Sequence, residues 1–437
     1  MANPESGVAL RYMQRFQCIG SACEDNCCCQ PWRVTLDQKD YARLKRTLSG
    51  SQPEREWFAR GCRRSRKREP GRSDYAALQK RRDGACVFLG ADQLCAIHAT
   101  RGAAELPKVC ATYPRIVSRL PDRLELAGTL SCPEAARLCL LAEDGVELDE
   151  VDPRGWEGLL VHTSVPTRSR DPYVRYFLPV RDAFLGLLAA REYPLASRFF
   201  FAACLAQRLG AFFFKRAPPF QGARLFRELT RFRTPSTLAR LDRRLASREA
   251  PAGLPFALVQ QILVAALTLR PAPRFAALLE QVYAPYLREE SPVAGLGRGA
   301  RTLLGGELWE DYRARRDRWE RRLGDRIALY LGNYAANYWM KECYTGAPDL
   351  LTHCLRLQVR VAMLRFLLFE HPAIRAVVGD DAPERGERPL LDRIVVEVIY
   401  SFSRAIEHTP AFLHGVHKVL RRNGIRRLDH AVQLLKF

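Results

Sequence analysis

The chain has 437 residues, enough for two domains or three and for a sizeable apolar core. Lys and Arg total 69 against 48 Asp and Glu, a net charge of +21, which favours an acidic partner such as nucleic acid, an anionic membrane face or an acidic protein. The surplus peaks at residues 60–72, 313–322 and 421–427; the first run lacks interleaved aromatic residues and the second alternates charge along a helix, so both read as solvated faces and count against nucleic acid.

The opening MANPESGVALRY has no basic segment followed by an apolar one, so no secretory signal is visible and a reducing, cytoplasmic setting is expected. Next comes FQCIGSACEDNCCCQPW, with Cys18, Cys23, Cys27, Cys28 and Cys29 among turn-forming Gly, Ser, Asp, Asn and Pro. In a chain without export, so dense a set of thiols points to a soft metal centre rather than to disulfides. Cys86 and Cys95 flank a turn-like Gly90-Ala91-Asp92, Cys110 follows Pro107, and Cys132 opens a helix expected to run towards Gly145. Ser131 and Glu134 have capping-box spacing, and a thiol in that first turn is expected to have a lowered pKa. Cys62, in a basic setting, reads as exposed or reactive. Cys139, Cys204, Cys343 and Cys354 read as buried small apolar residues.

Four thiolates suit zinc or an iron–sulfur cluster alike. Paired CxxC knuckles of the zinc-ribbon kind are missing. The C-x3-C-x2-C signature of radical enzymes begins at Cys23 and Cys27 but meets Gln30 at its third position. His98, three residues after Cys95, is a further possible ligand, with a structural role outweighing it.

Elsewhere, Gln38 to Leu48 reads as a short amphipathic helix and Ile116 to Leu126 as a hairpin turning at Pro121-Asp122. An acidic, irregular stretch from Gly145 and the polar VPTRSRDP place a linker near residue 160. The expected domains are therefore a cysteine-cluster domain over 1–160 and an α-helical domain over 161–437. Helical periodicity covers Tyr173–Glu192, Leu195–Lys215, Leu254–Leu269 and Phe275–Glu289, and no apolar run is long enough to span a membrane without polar interruption. The glycines of GLGRGA, at 295, 297 and 299, do not follow an apolar strand and read as a linker rather than a nucleotide loop. The fold class is mainly α, with a loop-rich N-terminal cysteine domain followed by an irregular helical one.

Two helical stretches carry polar stripes. Tyr330, Tyr334 and Tyr338 recur every four residues beside Asn333 and Asn337, with Lys341 following. Buried tyrosine and asparagine need partners, which packing or a ligand would supply. Glu397, Ser401, Arg404 and His408 form the second stripe on a helix with apolar flanks, read as a buried Glu–Arg network or a polar pocket lining.

The pattern Cys18, Cys23, Cys27-Cys28, Cys86-x-Phe-Leu, Cys95-x-Ile, Cys110 and Tyr113-Pro114-Arg115 resembles zinc- or iron-chelating cysteine-cluster proteins. The strings RYMQRFQCIGSACEDNCC, LSCPEAA, LGNYAANYWMKE and SFSRAIEHTPAFL resemble the flagellin lysine-N-methylase family. That resemblance implies a [4Fe-4S] cluster, zinc being the alternative, on ligands drawn from Cys18, Cys23, Cys27, Cys28, Cys86, Cys95, Cys110 and Cys132. It also implies S-adenosylmethionine-dependent methylation of lysines on flagellin or another protein. Methyl transfer needs a neutral amine, and tyrosine faces hold ammonium groups, which makes Tyr334, Tyr338 and Glu397 the catalytic candidates. Cys29, His98 and the Arg-rich composition depart from the family pattern and leave the substrate open. The rival reading is a non-enzymatic iron–sulfur or zinc-chelating protein that docks an acidic partner.

Overall fold

A computed structural model describes residues 6–30, 32–66, 74–144, 147–156, 158–214, 219–248, 256, 259–260, 262–263, 273–284, 306–379, 387–407 and 434. The glycine-rich segment at 295–299, His408 and the basic run at 421–427 lie outside these residues, as do most of Leu254–Leu269 and Glu289. In chain order the first elements are β1 (Ser6–Leu10), β2 (Thr35–Leu36), α1 (Gln38–Thr47), α2 (Gln52–Gly61), β3 (Cys62–Arg64), β4 (Ala76–Leu78), α3 (Ala96–Arg101) and α4 (Lys108–Thr112). Local chemistry starts the early helices: Asp37 accepts from the Asp40 amide at 2.6 Å, and Ser51 with Glu54 forms a full capping box. Strands β2, β4 and β3 make a small antiparallel sheet. With α1 and α2 it encloses a core of its own, including Leu36, Leu44, Phe58, Leu78, Phe88 and Ile97. The cysteine region is thus less dependent on loops than its composition suggests. Gly61 belongs to this core because a Cβ there would lie 2.3 Å from the Phe88 ring.

Then follow β5 (Arg115–Arg119), β6 (Arg123–Gly128), α5 (Pro133–Leu141), β7 (Leu148–Val151) and β8 (Val161–Ser164). The expected hairpin is β5–β6, antiparallel. It sits inside a five-stranded mixed sheet of order β7-β1-β6-β5-β8, with β1 parallel to β6 and β8 parallel to β5. The acidic stretch expected to be irregular supplies β7. Its Asp149 accepts from Arg11 at 2.8 Å, while Asp144, just after α5, pairs with Arg15 at 2.9 Å. Helix α5 stops at Leu141, short of Gly145.

The helical part comprises α6 (Phe177–Leu188), α7 (Leu195–Phe214), α8 (Gly222–Arg231), α9 (Pro235–Ala246), α10 (Pro273–Tyr283), α11 (Gly306–Lys341), α12 (Leu350–Phe369), α13 (Pro372–Gly379) and α14 (Glu387–Ile406). The protein is mainly α. Helix α11 joins the charge-alternating run and the tyrosine stripe into one rod of 36 residues. Its first half is largely exposed, whereas Tyr330 to Met340 are all buried.

One apolar core runs from the five-stranded sheet into the helices, taking in Ala9, Leu126, Phe184, Phe200, Leu331, Met363 and Val395. Helix α5 lies between α11 and α14. Two asparagines of α11 fasten this layer. Asn333 donates to the carbonyls of Cys139 (2.9 Å), Leu140 (3.2 Å) and Ala142 (2.8 Å), closing the C-terminal end of α5. Asn337 donates to the Gly128 carbonyl (2.9 Å) and accepts from the Tyr12 hydroxyl (2.7 Å). A Cβ at Gly128 would lie 2.5 Å from that hydroxyl, so glycine is required there. A buried Glu125–Arg181 pair adds a second tie between β6 and α6.

Asn333→Ala removes the donor to three carbonyls, two of them buried. It is expected to lower stability by about 1–3 kcal/mol, seen as an earlier midpoint of urea unfolding. Arg168→Ala, whose pair with Asp122 is exposed, should leave the midpoint nearly unchanged.

Candidate metal centre

The cysteine loop is built from two short 3₁₀ turns, Gly20–Ala22 and Cys27–Cys29. A 3₁₀ turn has three residues per revolution, so three successive side chains leave it in three directions. This is why the run Cys27-Cys28-Cys29 cannot send every sulfur to one point. Cys29 is exposed and faces Lys80 and Arg81, while Cys28 turns inward. Asn26 starts the turn: its Oδ1 accepts from the Cys28 amide at 2.8 Å, and its Nδ2 donates to the Gln93 carbonyl at 2.6 Å.

That second bond joins the loop to the segment carrying Cys86 and Cys95. Isolated antiparallel bridges pair Lys80 with Cys86 and Leu89 with Cys95, around a turn closed by the Gly90 amide on the Leu94 carbonyl. The Cys28 carbonyl accepts from the Cys86 amide (2.8 Å) and from Lys80 Nζ (3.1 Å). The Cys28 thiol consequently lies close enough to those of Cys27, Cys86 and Cys95 to act on their protonation. Cys110, on α4, is close enough to feel Cys27, Cys95 and Cys86.

Crowded sulfurs share protons unequally. Cys28 keeps its proton, held far above the ordinary thiol value by its three sulfur neighbours. Cys86 is pulled down to about 6 by its bond with Cys28, aided by the Phe88 amide and by Lys80 and Arg81. Cys95 is pulled down to about 7 by Cys28 and by the amides of His98 and Ile97 at the start of α3. Cys27 is also lowered, by Cys28 and then by Arg404. Cys110 is pushed up by burial.

The remaining candidates divide. Cys23 and Cys132 lie on the Cys27 side of the cluster, and Cys18 is exposed near Arg115. Cys132 is the N-cap of α5, yet it is buried and pushed up to about 12; desolvation outweighs the Ala135 and Glu134 amides, so the expected lowering is overturned. Cys62 is buried in β3 and also pushed up to about 12 by burial, which excludes the exposed-thiol reading. His98 is exposed on α3. Cys139, Cys204 and Cys354 are buried and Cys343 is half-buried. Four gathered thiols are the donor set a soft metal takes. Among the described residues no three His, Cys, Asp or Glu side chains surround a common ion position; the sulfurs are coupled through Cys28 instead.

The catalytic candidates are not brought together. Tyr334 and Tyr338 are buried one turn apart on α11. The Tyr334 hydroxyl lies 3.4 Å from Glu407, which also accepts from Lys341 Nζ at 2.5 Å. Glu407 had no periodic signal to single it out, because it lies just past the end of α14. Glu397, expected to be buried, is half exposed and pairs at 3.9 Å with Arg274. It lies ten residues before Glu407, about 15 Å away along a helix. Tyr338 packs against His353 and under the Arg360 guanidinium. The asparagines between the tyrosines have protein partners, as described above.

The opposite face of α11 lines a cleft of about 1090 Å³ with α6, the segment after α5 and the start of α14. Leu185, Gly186, Leu323, Asn333 and Leu391 form part of its wall, and Glu143, Asp325, Arg191, Arg321 and Arg388 supply charges of both signs. Tyr334 and Tyr338 do not line it.

Residues 181–434 match the family model of the FliB lysine N-methylase C-terminal domain. The chain belongs to that family. Its residues 17–133 also match the CxxCxxCC model, described as a "putative zinc- or iron-chelating domain". Curated relatives include the lysine-N-methylase of Salmonella typhimurium, 29% identical over 151 residues, covering 32% of this chain and 33% of that protein. The lysine-N-methylase of Salmonella choleraesuis is 28% identical over the same length, with the same coverage. The flagellar biosynthetic protein FliU of Salmonella muenchen is 28% identical over 139 residues, covering 32% of this chain and 79% of that one. The match thus spans about a third of the two curated lysine methylases. No solved structure matches.

Replacing Cys27, Cys28, Cys86 or Cys95 by Ser is expected to abolish tight metal binding, while Cys62→Ser, Cys204→Ser and Cys354→Ser retain it. Metal content of purified full-length variants by elemental analysis reads the outcome.

A pH effect follows from His353. Burial lowers its pKa from 6.5 to about 3, and its Nε2 has no hydrogen-bond partner among the described residues. The folded state binds the proton less well than the unfolded state, so the neutral histidine's contribution is complete above pH 6.5 and is lost as pH falls towards 3. Between pH 8 and pH 5 the loss amounts to about 2 kcal/mol. His353→Phe should lose correspondingly less stability over that interval in parallel urea titrations.

Proposed function

We propose that this chain is an S-adenosylmethionine-dependent protein lysine N-methyltransferase acting on flagellin or another lysine-bearing protein. The observation that carries this reading is the match of residues 181–434 to the lysine N-methylase C-terminal family. On the same reading the gathered thiols of Cys27, Cys28, Cys86 and Cys95 hold a [4Fe-4S] cluster, with zinc as the alternative; Cys18, Cys23, Cys110 and Cys132 stand as reserve candidates. Four thiolates are the usual ligand set of such a cluster.

The cleft beside α11 is our candidate for the meeting place of methyl donor and lysine. Its arginines suit a carboxylate, its carboxylates suit an amine, and its leucines suit an apolar ring system. Transfer requires the lysine to lose its proton and its lone pair to bond the methyl carbon as the carbon–sulfur bond of the sulfonium breaks, the donor leaving as a neutral thioether. A carboxylate such as Asp325 or Glu143 would orient the incoming ammonium and relay that proton to water. Tyr334, Tyr338 and Glu397 contribute, on this reading, through the packing of α11 and α14. The metal centre would have a supporting role, since Cys132 and Glu143 sit at opposite ends of α5, a helix of nine residues and about 14 Å.

The rival reading, a metal-chelating protein that docks an acidic partner, draws support from a second groove of about 810 Å³ that carries Arg208, Arg231, Arg240 and Arg244. Anaerobically purified chain should carry iron and acid-labile sulfide, and with S-adenosylmethionine should add methyl groups to lysines of flagellin, read by peptide mass spectrometry. Asp325→Asn should slow the transfer. Binding of flagellin without methylation would overturn the enzymatic reading in favour of the docking one.

A further inference from the structure

Just before the cysteine turn, Glu24 and Asp25 are gripped by three arginines from three different helices. Arg404 of α14 donates from Nη2 to the Asp25 carbonyl at 2.7 Å and from Nε to the Ser131 carbonyl at 2.6 Å, and its Nη1 lies 2.5 Å from Asp25 Oδ2. Its side chain is 2% exposed. Arg274 of α10 donates to the Glu24 carbonyl and to the Tyr400 hydroxyl, each at 2.8 Å, and stands 3.7 Å from Asp25 Oδ2. Arg137 of α5 pairs with the Glu24 carboxylate. The remaining Asp25 oxygen accepts from Gln30 at 2.8 Å, just beyond the turn. The polar face of α14, with Glu397, Tyr400 and Arg404, is therefore turned on the cysteine loop.

A buried guanidinium is tolerated only where its charge and donors are met, and the loop supplies Arg404 with its carboxylate partner and one of its two hydrogen-bond acceptors, the other being the Ser131 carbonyl. The loop's own apolar contribution is small: none of residues 20–29 is buried. Its conformation therefore rests on these long-range bonds, which span 379 and 250 residues of chain.

We propose that Arg404 and Arg274 are positioning residues of the metal centre: the helical domain fixes the loop that presents Cys27 and Cys28, so metal retention and the seating of α14 are coupled. Thermodynamic linkage makes the coupling reciprocal, so a bound metal holds α14 in place by as much as α14 holds the metal. The inference rests on the reading that these thiols bind a metal, and is independent of methyl transfer.

The test uses the full chain loaded with Zn²⁺ and the rate at which a chromophoric chelator removes it. Arg404→Met and Arg274→Gln should each release zinc faster, by about 10- to 100-fold, the range seen when residues supporting metal ligands are changed. Arg404→Lys should restore part of the retention, since an ammonium reaches fewer of the three acceptors than the guanidinium fork does. Arg168→Gln, at an exposed pair with Asp122, should behave as the unchanged chain. Arg274 is half exposed, so its variant is expected to fold even if Arg404→Met does not. In a second measurement, removing zinc from the unchanged chain should speed amide hydrogen exchange in the C-terminal half of α14 and not in α12. Release rates equal to the unchanged chain in Arg274→Gln and Arg404→Met, or exchange in α14 indifferent to zinc, would overturn the latch. An unchanged chain that takes up no zinc and no iron would instead remove the metal reading on which it stands.

Discussion

The structure depends on the need to satisfy polar groups where α11 passes through the core. Asn333 and Asn337 meet that need by donating to the ends of two N-terminal elements, the last carbonyls of α5 and Gly128 at the end of β6. A buried carbonyl without a donor would cost about 1–3 kcal/mol, so the sheet and the helices are held in one relative position. Glycine at 128 lets Tyr12 approach to complete the arrangement.

From that fixed point α5 runs back to the thiols. Its C-terminal end is closed by α11 and its N-terminal end is Cys132, on the Cys27 side of the cluster. Arg404 binds the Ser131 carbonyl at that same end and reaches across to Asp25. One short helix thus connects the gathered sulfurs, the long helix and the cleft beside it. The sulfurs themselves divide their protons by proximity: Cys28, touching three others, stays a thiol, and its neighbours incline towards thiolate. Metal binding to such a set would release the retained proton.

Much of this was legible in the residues. The density of cysteine among turn-formers marked the loop where the sulfurs gather, Gly90-Ala91-Asp92 marked the turn that sets Cys86 against Cys95, and Pro121-Asp122 marked the β5–β6 hairpin. The tyrosine period marked a buried helix. Less legible was the direction of each side chain. Glu397 lies in an apolar context that suggests burial, yet its side chain is half exposed beside Arg274. Glu407, past the last helical turn, carries no period and is the carboxylate that meets Tyr334 and Lys341.

The sequence by itself determined the mainly helical class, the presence of a thiol site near the N-terminus and the family to which the C-terminal part belongs. These follow from local facts: residue type, spacing and period. Only the tertiary structure decided which cysteines meet. A 3₁₀ turn separates Cys29 from Cys28, although the two are adjacent in the chain, and antiparallel bridges bring Cys86 and Cys95 to the same point. It also decided that β1 lies parallel to β6 and that Asp25 faces Arg404. Those pairings join residues far apart in the chain. Their stability comes from burial and from matching charge after the chain has closed on itself, which no local pattern encodes.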